Sequence, residues 1–208
     1  LGKLSFNLLK GIRFSTLFSM DRDEGHGYDH AFKYNPDGMA AGHGKTDFFT
    51  FQWNHLLSNK MFYDLKISQT KNYSGSYLFE NPLDSNYVHD KYLESFGPGF
   101  FTGGQQKHHD TRTIDNFNVK FDFNWQINNS HNLKTGLNFK KYDIDNSWRQ
   151  IRNEYFGTPL EGQLYKPKVF GDSTLFADVY TAQPQEFSAY IQDKMEFQDM
   201  VINFGLRY

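Results

Sequence analysis

The residues of this chain best suited to chemistry are its eight histidines, several of which lie close together in the sequence. His26, His30 and His43 fall within one stretch rich in Gly and Asp, and residues 108–110 read His-His-Asp. Imidazole and carboxylate groups are common zinc ligands, but neither spacing matches a closed zinc site. Adjacent residues of an extended chain also point to opposite sides. We therefore predict no metal site and no cofactor from these histidines.

Two acidic segments have the oxygen-rich character of calcium ligands. Residues 143–146 read Asp-Ile-Asp-Asn, and residues 21–24 read Asp-Arg-Asp-Glu. Calcium takes six to eight oxygen ligands, and alternating carboxylates supply part of such a set. Neither segment contains the full set, so solvated residues at the ends of strands are the simpler interpretation. Calcium binding is the alternative.

The sequence contains no recognisable catalytic constellation. It has no cysteine and no GxSxG, HExxH or P-loop pattern. Carboxylates such as Asp122 and Glu196 occur in alternating polar positions of predicted strands, where a solvated surface accounts for them. We therefore predict no catalytic residue and no enzymatic activity.

Arginine and aromatic side chains are concentrated in two long segments without regular periodicity. This mixture on a mobile surface is typical of sites that bind peptides, anionic groups or sugar rings. The alternative for the aromatic residues of segment 72–111 is a small core that lets the loop fold on itself. We predict ligand contact at six residues: Trp148, Arg149, Arg152, Tyr155, Tyr77 and Phe79.

Segment 117–127, FNVKFDFNWQI, shows which elements position these loops. Apolar residues occupy every second place and polar residues occupy the places between them. A period of two is the signature of a β-strand with one apolar face. Other runs repeat the pattern, and we predict that the apolar side chains face lipid, namely Phe117, Val119, Phe121, Phe123, Trp125, Ile127, Leu137, Phe139, Ile202 and Phe204.

The whole chain is predicted to be all-β, an antiparallel meander of about eight strands. Short turns alternate with long connections, which are predicted at about 22–46, 72–111 and 144–185. In outer-membrane barrels the periplasmic turns are short and the extracellular loops are long, whereas compact soluble domains rarely have structureless loops of this length. The predicted strands lie at about 3–9, 12–21, 47–57, 61–71, 112–127, 131–143, 186–197 and 201–208.

Composition favours a transmembrane β-barrel segment over a soluble sheet. Aromatic residues make up 18% of the 208 residues, yet the mean hydropathy is −0.71. A barrel strand needs only about five outward apolar residues, so a hydrophilic average is compatible with spanning a membrane. The net charge of −2 and the lack of a basic stripe argue against a nucleic-acid partner.

Two segments resemble TonB-dependent outer-membrane receptors, in particular the large Bacteroidetes type. FSAYIQDKMEFQDMVINFGLRY, residues 187–208, resembles a barrel hairpin of these receptors, and SMDRDEGHGYDHAFKYNPDG, residues 19–38, resembles an upstream barrel loop. The resemblance implies the cell outer membrane as location, membrane lipid as surroundings, and import of a small-molecule or oligomeric nutrient. Siderophores, cobalamin, glycans and peptides are the candidate substrates.

The same resemblance implies a plug domain, a TonB box and a surface lipoprotein as a further partner. The chain shows neither plug nor TonB box, and eight strands cannot close around a plug. We therefore expect a portion of the barrel wall, which contacts the TonB complex through an N-terminal plug region outside this sequence. The alternatives are a complete small outer-membrane barrel and a secreted β-sheet binding protein or adhesin.

Overall fold

The structure is a computed structural model that describes residues 1–93, 95–96 and 99–208. Nearly all regular structure in it is β-strand. Three short 3₁₀ helices, His30–Phe32, Pro36–Gly38 and Asp90–Tyr92, lie in the long connections, and no helix in the described ranges is long and apolar enough to cross a membrane. The strands are β1 Gly2–Leu9, β2 Ile12–His26, β3 Ala41–Ser58, β4 Met61–Tyr77, β5 Ser95–Phe96, β6 Phe100–Phe101, β7 His108–Gln126, β8 His131–Asn153, β9 Pro167–Val169, β10 Ala177–Ala182, β11 Gln185–Glu196 and β12 Val201–Arg207.

One open antiparallel sheet contains almost all of these strands. Its order is β1-β2-β3-β4-β7-β8-β11-β12, so strands that follow one another in the main path are neighbours in space. β9 and β10 also pair with β8, and β5 and β6 form a separate small ribbon. The predicted all-β antiparallel fold of about eight meandering strands is confirmed.

The strands connect differently at the two ends of the sheet. Turns of two residues (10–11 and 59–60) and four residues (127–130 and 197–200) lie at one end, which we call the turn end. Gly11 has a φ of 84°, a conformation that other residues rarely adopt, so glycine suits this turn. The three long connections lie at the opposite end, which we call the loop end.

The strands continue much further toward the loop end than the periodicity predicts. β8 ends at Asn153 rather than near residue 143, and β7 begins at His108 rather than near residue 112. Beyond the apolar rows most residues that continue the apolar face are polar, so the alternation disappears although backbone hydrogen bonding goes on. As a result, Trp148, Arg149 and Arg152 lie on β8 and not in a loop. The connections from β2 and β4 shorten to 27–40 and 78–107.

The register gives the sheet one apolar and one polar face. Phe121 on β7 pairs with Leu65 on β4 and Leu137 on β8, and residues paired across antiparallel strands point to the same side. The apolar side chains remain accessible, with Leu137 49% and Phe204 65% exposed. Nine of the ten predicted lipid-facing residues lie in strands on this face, and Ile127 directly follows β7. Their contact with lipid stays a prediction.

The packed core of the described residues does not lie between sheet layers. Its buried apolar side chains are at the loop end: Phe32, Met39, Ala41, Tyr77, Tyr87 and Ile151. The long connections and strand extensions therefore fold onto one another into a compact cap.

Candidate functional site

The three long connections are joined by specific hydrogen bonds, and we call residues 27–40, 78–107 and 154–176 together the loop cap. The Asn35 side chain donates to the Gly104 carbonyl at 2.7 Å, and the backbone N–H of Gln106 donates to the Gly38 carbonyl at 2.7 Å. A Cβ on Gly38 would lie 2.6 Å from the Gly104 oxygen, so only glycine permits this approach. The first connection is thereby fixed against the second.

The second and third connections meet around the end of β8. His89 bonds through its ring nitrogen to the Glu161 carbonyl at 2.5 Å. Asn153, only 2% exposed, donates to the carbonyls of Glu161 and Leu164 at 3.2 and 2.6 Å. Its Oδ1 also accepts from the backbone amides of Tyr155 and Lys166 at 3.3 and 3.1 Å. A single buried amide therefore orders residues 154–166.

Lys107 is a buried cation between these two connections. Its Nζ donates to Asp90 Oδ1 at 2.6 Å and to the Val88 carbonyl, and it lies 4.1 Å from the centre of the Tyr165 ring. Burial lowers the pKa of Lys107, while the Asp90 carboxylate opposes the shift. Burial also raises the pKa of the Tyr87 and Tyr165 phenols. The interior of the cap therefore disfavours charge.

Tyr77 and Phe79, two of the predicted ligand contacts, are used in packing. The Tyr77 ring lies between the imidazoles of His43 and His109, with ring centres 4.3 and 4.8 Å away, and it is 7% exposed. Phe79 meets Tyr87 edge to face at 4.9 Å. This arrangement is the internal loop core that the sequence offered as the alternative. The side chain of Phe96, in the same connection, lies outside the described part.

Trp148, Arg149 and Tyr155 occupy three different surroundings. Arg149 is neutralised by Asp172 at 2.7 Å and donates to the Phe170 carbonyl at 3.3 Å. Trp148 lies on β8 between two neighbouring strands and pairs with Asp110 of β7 and Asp178 of β10. Tyr155 lies in the turn after β8, and its backbone amide donates to the side chain of Asn153. Ligand contact by these three residues stays a prediction.

Arg152 differs from its neighbours because aromatic rings, rather than carboxylates, surround its charge. The guanidinium carbon is 4.0 Å from the centre of the Phe156 ring and 5.0 Å from that of Phe176. Lys168 on β9 pairs directly with Arg152, and its ammonium lies over the ring of Phe170 at 5.6 Å. We call these five residues the Arg152 cluster. Such rings attract a cation through their π faces without neutralising it.

Sequence reasoning included Arg152 but missed Lys168, Phe170 and Phe176 as its neighbours. Lys168 and Phe170 are two residues apart, which is strand spacing, and β9 ends between them. This spacing was the one local feature of the sequence that could have indicated a short strand at Lys168. Nothing local indicates that β9 pairs with the far end of β8.

The histidine and carboxylate candidates are dispersed. No group of three or more His, Asp or Glu side chains suited to a metal ion occurs in the part of the chain that the structure describes. His108 bonds Ser76 at 3.1 Å, while His109 stacks on Tyr77 on the opposite face. The two acidic segments lie within β2 and β8 and not at loop entries, and Asp143 forms an ion pair with Lys141 at 3.3 Å.

A hydrogen-bonded belt crosses the polar face nearer the turn end. The Tyr190 hydroxyl on β11 donates to Asp122 Oδ1 on β7 at 2.8 Å, reaching across Gly136 on β8. Lys120 bonds the other oxygen of Asp122 at 2.8 Å. Asp122 in turn pairs in register with Asp64 on β4. The belt ties together strands that are far apart in sequence.

Comparisons with known proteins show a likeness to a solved structure. No protein-family model and no curated protein matches the chain. Among solved structures, it is similar to the ferric-catecholate import receptor Fiu from E. coli K12 in an open form, with a TM-score of 0.55 and 12% sequence identity. The match covers 98% of this chain and 34% of that receptor, so the chain spans about a third of its length. The fold is thus similar to part of that receptor's barrel wall, and the Bacteroidetes-type assignment stays a prediction.

Proposed function

We propose that this chain is a wall portion of an outer-membrane TonB-dependent receptor that imports a nutrient. The observation behind this proposal is the row of exposed apolar side chains that the register places on one face across eight strands. In water such a face would be expensive, whereas lipid solvates it. The opposite face is polar, as expected for the wall of a water-filled or plugged lumen.

The orientation follows from the connections. Short turns belong on the periplasmic side and long connections on the extracellular side. The loop cap is then the part that meets the nutrient before it enters the lumen. Trp148, Arg149, Arg152 and Tyr155 lie in or beside this cap, and we assign them to nutrient contact.

The partners follow from the same assignment. Membrane lipid surrounds the apolar face, and the TonB complex acts through an N-terminal plug region that is not in this sequence. A surface lipoprotein over the cap fits the Bacteroidetes-type resemblance. The similar solved receptor is described as importing ferric catecholate, and a siderophore is one of four candidate cargoes beside cobalamin, glycans and peptides. The proposal assigns no catalytic residue.

These 208 residues contain no cysteine, so site-specific labelling is a direct test once any cysteine elsewhere in the full-length polypeptide has been replaced. Single cysteines replace successive residues from Asn118 to Asn124 in the full-length polypeptide, reconstituted in lipid vesicles and labelled with a polarity-sensitive fluorophore. We expect nitroxide-bearing lipids to quench labels at Val119, Phe121 and Phe123. Labels at Lys120 and Asp122 should respond instead to a water-soluble quencher.

The alternation itself is the internal control, because neighbouring positions share depth and differ only in face. Equal aqueous quenching along the whole segment, together with recovery of the protein from the soluble fraction without detergent, would contradict the receptor assignment. A secreted β-sheet binding protein would then be the better description.

A further inference from the structure

In the part of the chain that the structure describes, no carboxylate forms an ion pair with Arg152. Among the described residues its guanidinium forms no ion pair and no side-chain hydrogen bond, although Arg149, three residues earlier, has both. Arg152 is partly exposed and is held by the rings of Phe156 and Phe176. Guanidinium offers five donors in a planar fork that fits carboxylate and phosphate groups. The cluster therefore presents unused donors in a fixed orientation.

A second cation lies beside the first. Lys168 pairs with Arg152 across two antiparallel strands, so their side chains leave the same face close together. Like charges placed opposite each other in this way are destabilising. The nearby Glu154 is bonded to Lys166 at 2.8 Å, which lowers the Glu154 pKa, and it also lies close enough to Lys168 for that charge to lower the same pKa. An anion bound between Arg152 and Lys168 would relieve their repulsion.

The part of the polar face nearer the turn end carries surplus positive charge, whereas the rows between it and Arg152 hold Asp21, Asp23, Asp110 and Asp178 beside Arg112. Arg152 shares this face with Lys140 and Lys134, because an even number of positions separates them along β8. Between the turn end and the row that contains Ser19, Thr70 and Tyr142, the polar face carries eight basic and four acidic side chains. The chain as a whole, in contrast, has a net charge of −2. The basic residues are Lys3, Arg13, Lys66, Lys120, Lys134, Lys140, Lys194 and Arg207, and the acidic ones are Asp64, Asp122, Glu186 and Glu196.

Only some of these basic residues are neutralised locally. Lys120, Lys140 and Lys194 form ion pairs with carboxylates of the same face. Lys66, Lys134 and Arg13 form no ion pair with any described residue. Surplus positive charge in the turn-end part of the face concentrates anions in the adjoining water.

We propose that the nutrient is an anion and that Arg152 and Lys168 bind its carboxylate, phosphate or catecholate group between Phe156 and Phe176. This inference rests on the proposed import function. Membrane phosphate is excluded as the source of the anion, because Arg152 lies thirteen residues beyond Phe139 on β8. That distance is about 30 Å for strands tilted by about 40°.

The test measures binding to the full-length polypeptide in detergent at low ionic strength by calorimetry. The probes are citrate, inositol hexakisphosphate and 2,3-dihydroxybenzoate, with neutral raffinose for comparison. We expect saturable binding of at least one anion, weakened about tenfold or more in Arg152→Gln and less in Arg152→Lys. Lys168→Gln should weaken the same anion, and added salt should weaken all anion binding.

Lys33→Gln is the matched control, since Lys33 also lies over aromatic rings, those of Tyr34 and Phe100, in another part of the cap. Its anion affinity should stay within about twofold of the parent. The inference is overturned if no anion binds, or if Arg152→Gln and Lys168→Gln behave like Lys33→Gln. Binding of raffinose without binding of any anion would overturn the inference and keep the import function, with a neutral nutrient. Failure of the import function itself would be seen separately, in the lipid-quenching experiment.

Discussion

Gly136 is the residue of the polar face whose replacement gives the sharpest test of the fold. An alanine Cβ there would lie 2.3 Å from Tyr190 Cε1 and 2.7 Å from Asp122 Oδ1. Neither distance is tolerable, so the Tyr190 ring must move away and its hydrogen bond to Asp122 is lost. A hydrogen bond to a charged group contributes about 1.5–3 kcal/mol. The Asp122 side chain is 29% exposed, so the lower half of that range applies, about 1.5–2 kcal/mol.

Gly42→Ala is the matched control. Gly42 is also a strand glycine, and its added Cβ would have the Gly25 carbonyl oxygen as its nearest neighbour, at an ordinary 3.6 Å. Replacing such a glycine should stabilise the protein by about 0.4–1 kcal/mol, because the unfolded chain loses conformational freedom. The difference in unfolding free energy between the two alanine variants then isolates the contact, and it should exceed about 1.5 kcal/mol.

The assay is urea unfolding of the full-length polypeptide in lipid vesicles, followed by tryptophan fluorescence. Tyr190→Phe removes the hydroxyl and keeps the ring. Because Gly136→Ala and Tyr190→Phe lose the same hydrogen bond, the double variant should cost less than the sum of the single variants. Equal stability of Gly136→Ala and Gly42→Ala would refute the assignment of Gly136 as the crossing point for Tyr190.

Two further predictions concern the loop cap. Asn153→Leu leaves two backbone carbonyls and two backbone amides without their hydrogen-bond partner. Protease should then cleave within 154–166 at a rate at least about tenfold higher than in the parent protein. Asn129→Leu, in an exposed turn, is the control and should leave that rate unchanged. The lowered pKa of Lys107 means that the unfolded chain binds more protons between that pKa and the ordinary value of 10.5, so cap stability should rise as the pH rises through this window. Melting of the cap measured as the pH rises toward the ordinary lysine value of 10.5 should show this rise, and Lys107→Met should abolish it. A flat profile in the parent protein would contradict the burial of this cation.

The fold class, the two faces of each long strand and the positions of the four short turns could be read from the amino-acid sequence alone. These features are local, because a side chain in a strand changes face with every residue and a tight turn depends on a few neighbouring residues. Phe121 was therefore assigned correctly to the apolar face without knowledge of its partners. The strand ends near the loops were missed because apolar residues do not alternate regularly in extensions such as 144–153 of β8.

The contacts within the cap and across the polar face depend instead on how the strands pair in three dimensions. Tyr190 and Asp122 are 68 residues apart, and His89 and Glu161 are 72 apart. No periodicity spans such distances, since these contacts depend on the register of several strands together. Lys168 became the neighbour of Arg152 for the same reason, when a three-residue strand paired with the far end of β8. The sequence supplied the charges and rings of this cluster, and the pairing of the strands brought them together.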